Sequence, residues 1–509
     1  MSSPETIPTI SRRELLRGLS AIATASLLTG CGTSAFSSLA SSSVQPITNP
    51  QPLPIGAITA ASMTVAATIA GSFAKDFVGL AYEKQTLYLP LFSSSSSDLI
   101  GLFSRLGESM LRIGGDSVDK NVWTPDGMGQ TPGQIAPPDV DALVGFLKAT
   151  GWSCIYGINL GGSASGATTP ALAAEEVAYV AKALGPLLVG IEIGNECENY
   201  RDGGSYYQYN WTVEMFEALW TEYHDAIVAQ TPNAPLIGPA AGSNVGGWTI
   251  PWGESITKAN FGHLTQHYYK GPGDAATATI EDLLSVDTAL TAELALLKDG
   301  AESIGVPFRV GECNSYWDGG TAGVSNVYAS SLWAIDMLFQ SALGGATGVN
   351  FQGGDHSHYT PIEDNFGPIV GPRPIFYGLV MAAMAGAGDV LSTELNVGSL
   401  NATGYAVKKA SGGMSLVIVN KDMTQNLDLS IALPAADRPV TSAALQVMTQ
   451  LSADATSPSL SATSGVTLQG GSIAVDGALA PNAAYGLAVS ARQLSCYVPA
   501  LSAVLIQLS

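Results

Sequence analysis

The sequence predicts an α/β chain, a closed (β/α)8 TIM barrel followed by an antiparallel β-sandwich. Three observations carry this. Eight apolar runs of strand length alternate with segments of 3.6-residue periodicity between residues 76 and 386, and eight is the number of strands that such a barrel closes with. After about Ala387 the texture changes to short β-rich runs separated by Gly, Asn, Asp and Pro turns. The length of 509 residues is more than one simple core absorbs, so two domains are expected.

Residues 1–31 read as an export signal rather than as fold. Ser11-Arg12-Arg13-Glu14-Leu15-Leu16 resembles a twin-arginine signal, and a weakly apolar stretch through Leu19, Ile22 and Leu27 follows it. Leu28-Thr29-Gly30-Cys31 has the form of a lipoprotein processing box, with Cys31 as the lipidated residue; ordinary signal cleavage without lipid is the alternative. The expectation is a periplasmic or cell-surface protein with a possible lipid anchor. Export of this kind implies folding before transport, which disfavours essential disulfides. Residues 32–54, rich in Ser, Pro, Gln and Asn, read as a tether. The β-branched run Ile58–Ile69, stopped by Gly71, has no partner strand in the adjoining sequence, so residues 55–75 are assigned to the later β-domain.

The barrel is expected over residues 76–386. Its strand candidates are 76–82, 108–114, 152–158, 187–193, 235–239, 263–268, 307–312 and 346–351, and its helical stretches are 98–106, 139–149, 172–184, 212–230, 280–304, 324–343 and 374–386. In the fourth helical stretch Phe216, Leu219, Trp220, Tyr223 and Ile227 fall on one side. Gly151 and Gly305 stand where left-handed helix caps belong. Residues 387–509 form the predicted sandwich, a carbohydrate-binding module or a brace for the barrel, with bracing favoured.

Lys and Arg number 21 against 42 Asp and Glu, a net charge of −21 that makes nucleic acid an unsuitable partner. Of the five cysteines, none forms a CxxC pair or a zinc spacing, so no thiol-bound metal is expected. Cys197 and Cys313 read as buried small hydrophobes, with a disulfide as the alternative.

Chemistry points to two strand ends. Gly190-Ile-Glu-Ile-Gly-Asn-Glu196 and Val306-Pro-Phe-Arg-Val-Gly-Glu312 each run from an apolar strand into a Glu, on the fourth and seventh barrel strands. Strand alternation puts Glu192, Gly194 and Glu196 on one face. Two acids supplied by different strands at the carboxyl face of a barrel suit glycosidic bond cleavage, one protonating the leaving oxygen and the other attacking the anomeric carbon. Glu196 is assigned as acid/base, with a raised pKa expected, and Glu312 as nucleophile. Asn195 would meet a substrate 2-hydroxyl. No cofactor and no metal is expected; His356 and His358 lack a third ligand and read as loop residues. Arg112 and Arg373 suit either a substrate carboxylate or a buried acid such as Glu192 or Asp116, and Trp123, Trp248, Trp252 and Trp317 suit either sugar stacking or core.

With Asn195-Glu196, Gln266-His267-Tyr268-Tyr269 and Gly311-Glu312-Cys313-Asn314-Ser315, the chain resembles the clan of barrel glycosidases that carry both catalytic Glu on strands four and seven. Phe77-Val-Gly-Leu-Ala-Tyr-Glu83, Leu111-Arg-Ile-Gly-Gly-Asp116 and Tyr359-Thr-Pro-Ile make it similar, over roughly residues 76 to 385, to glycoside hydrolase family 79, the β-glucuronidase and heparanase family. The resemblance implies a carbohydrate substrate and an exo-acting retaining β-glucuronidase. It gives Tyr268 the hydrogen bond to Glu312, and gives Glu83, with the Gly115 backbone and Asp116, the distal sugar hydroxyls. Tyr316 or Trp317, with Tyr359, would face the C6 carboxylate. His358 and Trp317 depart from the family pattern at that end of the sugar. A neutral-sugar β-glycosidase and a non-catalytic carbohydrate binder are the alternatives.

Overall fold

The computed structural model describes residues 56–200, 206, 211–256, 261–435, 440, 442–451 and 458–509. The expected export signal and tether, with Cys31, lie outside these residues. Among the described residues no helix is long and apolar enough to cross a membrane.

The first strand, β1 (Ala57–Phe73), precedes the barrel. The barrel strands are β2 (Val78–Glu83), β3 (Met110–Gly114), β4 (Ser153–Ile158), β5 (Leu188–Ile193), β6 (Leu236–Ala241), β7 (Leu264–Tyr269), β8 (Phe308–Asn314) and β9 (Val349–Gly353). They close in chain order, every neighbouring pair parallel, as the sequence predicts.

The crossover helices are α1 (Ser97–Arg105), α2 (Pro137–Thr150), α3 (Pro170–Leu184), α4 (Val213–Gln230), α5 (Ile250–Ser255), α6 (Ile280–Leu283), α7 (Thr288–Ile304) and α8 (Tyr328–Leu343), with α9 (Pro374–Ala385) after β9. Local chemistry sets their ends. Pro170 opens α3 behind the Thr169 hydroxyl, which accepts from the Leu172 amide, and Gly151 and Gly305 close α2 and α7 in the left-handed conformation. The single helix expected over 280–304 is broken, because Asp287 caps a new helix by accepting from the Leu290 amide. In α4, Phe216, Trp220, Tyr223 and Ile227 are buried against the barrel wall.

The C-terminal strands are β10 (Gly388–Asn396), β11 (Ala402–Lys409), β12 (Met414–Asn420), β13 (Gln425–Ala432), β14 (Ala443–Gln450), β15 (Val466–Leu468), β16 (Tyr485–Leu487), β17 (Gln493–Val498) and β18 (Ser502–Leu508). They form one curled sheet, ordered β15-β14-β18-β12-β11-β10-β1-β13-β17 with β16 beside β14, in place of two separate sheets. β1 lies inside it, antiparallel to β10 and parallel to β13; periodicity carries no strand direction, so this one parallel pairing was not visible in the sequence.

Alternation explains how a single sheet serves two cores. Leu416, Ile418, Val504 and Ile506 face the core inside the curl, whereas Val417, Val419, Ala503 and Leu505 join the barrel core through α8 and α9. These two helices are apolar on nearly every face because they are covered on both sides. A buried ion pair spans the contact: Lys421 Nζ donates to Asp336 Oδ2 while Tyr405 donates to Asp336 Oδ1 at 2.8 Å.

Candidate active site

The barrel strands deliver a set of acids to their carboxyl ends. β5 ends at Ile193, Gly194 turns the chain with φ +86°, and Glu196 sits in the left-handed region at φ +46°. Strand alternation therefore does not reach Glu196. It is Glu192, still on the strand and fully buried, that points into the barrel. On β8 the register shifts between Val310 and Glu312 against β7, and between Val310 and Cys313 against β9. An irregularity of this kind re-aims a side chain, and here it brings Glu312 to the barrel mouth.

Glu196 and Glu312 meet there. One carboxylate oxygen of each and a ring nitrogen of His267 lie within 4.8 Å of one another. His267 Nδ1 is 2.8 Å from Glu196 Oε1 and 4.0 Å from Glu312 Oε1. Arg112, buried on β3, donates through Nη1 to Glu312 Oε2 at 2.7 Å, through Nε to Glu192 Oε2 at 2.7 Å, and through Nη2 to Asn195 Oδ1 at 2.9 Å. Tyr269 donates to Glu312 Oε1 at 2.7 Å. The three atoms would be a ligand set for a metal, but Glu312 already answers a guanidinium and a phenol, whose positive ends repel a cation.

The resemblance assigns the Glu312 bond to Tyr268, and the structure corrects it by one residue. β7 alternates: His267 and Tyr269 face the acids, while Gln266 bonds Thr249 and Tyr268 donates to Asp287 Oδ2 at 2.7 Å, on the other side of the strand.

The electrostatics also differ from expectation. Burial by itself would raise the Glu196 pKa, but the hydrogen bond and charge of His267, with Arg112 and Asn199, outweigh it and hold the carboxyl below its ordinary value. For His267, burial opposes the charged form and Glu312, with the Glu196 hydrogen bond, more than restores it, so its pKa rises. A proton is thus shared across the Glu196–His267 pair.

Glu83 ends β2 and accepts from the Ser117 amide at 2.8 Å, from the Ser117 hydroxyl, and from Gln352 Nε2 at 3.3 Å. Burial, with the charges of Glu312 and Asp116, pushes it to about 7. Gly115 stands against it, with φ +75° and a Glu83 carboxylate oxygen in the space that a Cβ would take. Asp116 is exposed at the mouth.

Tyr359 lies over Tyr269, ring centroids 6.2 Å apart, and burial and the charge of Glu312 raise its pKa. Its amide donates to Gly319 O at 3.3 Å, tying it to the loop that carries Trp317, which is 44% exposed. Tyr316 does not share this wall, because it is buried and donates to Asp282 Oδ2 at 2.7 Å. His358 is exposed beside Tyr359.

The remaining candidates fall elsewhere. Trp123, Trp248 and Trp252 are core. Arg373 pairs with Glu363, and His356 approaches Glu363 and Asn365. Cys154, Cys197, Cys313 and Cys496 are free and buried. Sequence reasoning gave no role to His267, Tyr269, Gln352 or Glu198. For Tyr269 the signal was available, since strand parity pairs it with His267.

No family model matches the chain. A β-glucuronidase of Aspergillus niger is 24% identical over 301 residues, 54% of this chain and 55% of that protein. The chain thus spans about half the length of the curated relative it matches. Among solved structures, a 4-O-α-L-rhamnosyl-β-D-glucuronidase from Fusarium oxysporum 12S superposes with a TM-score of 0.71 at 17% identity, over 87% of this chain and all of that one (100%). A family 51 α-L-arabinofuranosidase from Bifidobacterium longum gives 0.64 at 14%, over 88% and 99%. A family 44 endoglucanase from Clostridium acetobutylium gives 0.61 at 11%, over 88% and 99%. The likeness to these structures is one of fold, a TIM barrel with an appended β-domain.

Proposed function

We propose that this chain is a retaining glycoside hydrolase of the family 79 type that releases terminal β-linked glucuronic acid, or its 4-O-methyl ether, from glycans. The observation that carries the reading is the approach of Glu196 and Glu312 to within 4.8 Å. Retaining enzymes hold their two carboxyls about 5 to 5.5 Å apart, whereas inverting ones need about 6.5 to 9.5 Å to admit a water.

Glu312, oriented by Arg112 and Tyr269, attacks the anomeric carbon. The Glu196–His267 pair delivers its proton to the leaving oxygen. Once Glu312 is esterified its charge is gone, the support it lends to protonated His267 goes with it, and Glu196 takes a proton from the incoming water. The amide of Asn195, oriented by Arg112, meets the 2-hydroxyl, and Glu83 receives distal hydroxyls. No cofactor enters the scheme.

The glucuronidase names among the similar proteins support the acid sugar. A second reading, a neutral sugar in the same place, draws on Arg112. That guanidinium is spent on Glu192, Glu312 and Asn195, so it is not available to a C6 carboxylate. Turnover of chromogenic β-glucuronide, β-glucoside and α-arabinofuranoside near pH 4 to 5 decides between them. Cleavage of the glucuronide is expected; zero turnover of it beside clear cleavage of a neutral glycoside overturns the substrate and leaves the mechanism. In this proposal the enzyme works at the cell envelope, a reading that rests on the export signal and Cys31.

A further inference from the structure

We propose that Glu198 is a positioning residue for Glu196, its buried carboxylate pinning the Gly242–Ser243 backbone against which the Glu196 carboxylate rests. This rests on the reading of Glu196 as acid/base.

Glu198 lies in the short turn Cys197–Asn199, 7% exposed. Its Oε1 accepts from the Gly242 amide at 2.6 Å, the Ser243 amide at 2.7 Å and the Ser243 hydroxyl at 3.3 Å. Its Oε2 is buried and has no hydrogen-bond partner among the described residues. A carboxyl is costly to bury unless it is hydrogen-bonded, and the bonds that Oε1 makes here set the shape of one loop. That loop, immediately after β6, is the surface behind the acid/base. A Cβ on Gly242 would lie 2.5 Å from Glu196 Cδ, so the Glu196 carboxyl occupies the space a side chain there would take. The Glu196 amide in turn donates to Ala240 O at 2.8 Å, and Ala240 is in the left-handed region at φ +55°. Main chain and side chain of Glu196 are therefore both seated on residues 240–243, and Glu198 is the group that holds the far end of that seat.

Among the described residues, the titratable groups that face Glu198 are Glu196 and the Cys197 thiol on its own turn and His267 from β7. Burial and the charge of Glu196 raise Glu198 to about 7. Ionised Glu198 favours the proton on the Glu196–His267 pair; a neutral amide in its place does not.

Three measurements on the full chain test this. In Glu198→Ala the seat is lost, and kcat on the best glycoside falls about tenfold or more while KM stays within about twofold, in proportion to the lost hydrogen bonds to the Gly242 and Ser243 amides. Glu198→Gln keeps an acceptor for the two amides, so it restores kcat to within about threefold of wild type at the optimum, yet moves the alkaline limb of the pH profile about half a unit toward acid. NMR of the histidine rings, five in the sequence, reads the same change without turnover: His267 titrates at lower pH in Glu198→Gln. Equal loss in both variants with unmoved pH profiles means a purely structural role and overturns the proposal, as does wild-type behaviour in both. An unmoved His267 titration overturns it too. Wild-type protein that cleaves no glycoside, with His267 shifted in Glu198→Gln, instead overturns the hydrolase reading and leaves the positioning intact.

Discussion

The Nδ1 atom of His267 lies 2.8 Å from Oε1 of Glu196, and both belong to the floor of the barrel mouth. This contact turns an acid that burial would raise into one held below its ordinary value, and raises the histidine. It gives the protein a definite response to pH.

Stability should peak between the ordinary values of the pair, 4.5 for the carboxyl and 6.5 for the imidazole. The depressed Glu196 contributes stability above 4.5 and loses it as pH falls through its folded value. The raised His267 contributes below 6.5 and loses it as pH rises through its folded value. Glu83 and Glu198, both raised to about 7, add to the alkaline side: above 4.5 the unfolded chain releases their protons before the folded one does, which favours unfolding. Thermal midpoints measured from pH 4.5 to 8 are expected to fall between pH 5 and 7, and Glu83→Gln flattens that fall. A midpoint rising steadily to pH 8 contradicts this.

Tyr269→Phe removes the donor from Glu312 and is expected to lower kcat by about 10- to 100-fold, the worth of a hydrogen bond to a charged group, with KM little changed. Tyr268→Phe, whose hydroxyl serves Asp287 outside the site, stays within about threefold of wild type. Steady-state kinetics of the two side by side check the strand parity directly; the opposite ranking refutes it.

Arg112→Met strands Glu192 and Glu312 without their cation. Breaking a buried pair in this way costs about 3 to 5 kcal/mol, and Arg112→Lys recovers only part because an ammonium cannot span three acceptors. Urea unfolding of the three proteins tests it, and a change under about 1 kcal/mol in the Met variant would count against the network.

Gly115→Ala is expected to destabilise by about 1 to 3 kcal/mol and to raise KM, since φ +75°, ψ −178° is glycine territory and the new methyl would press on the Glu83 carboxylate. Gly133→Ala, also at positive φ but with open space around it, carries the backbone strain without the contact and leaves KM alone.

Much of this is legible in the sequence. The eight barrel strands and the two Glu-bearing ends follow from periodicity and from acids placed where apolar strands stop. What escaped has three physical causes. Parity on β7 put Tyr269 rather than Tyr268 in the site, a reading that alternation allows and the resemblance obscured. The positive φ at Gly194 and Glu196 and the irregularity on β8 re-aim the two acids, and period-two geometry holds only while a strand stays regular. The charge state of Glu196 depends on His267, 71 residues away in sequence, and no local pattern reports a neighbour brought in by the closure of a barrel.

The central claim is that Glu196 and Glu312 work as a double-displacement pair, and the most direct test is to trap the intermediate. Incubation with an activated 2-deoxy-2-fluoro-β-glucuronide, followed by peptide mass spectrometry, is expected to find one sugar esterified to the peptide containing Glu312, with none in Glu312→Gln. A sugar on any other residue, or first-formed product of inverted configuration in proton NMR of the hydrolysis, would contradict it.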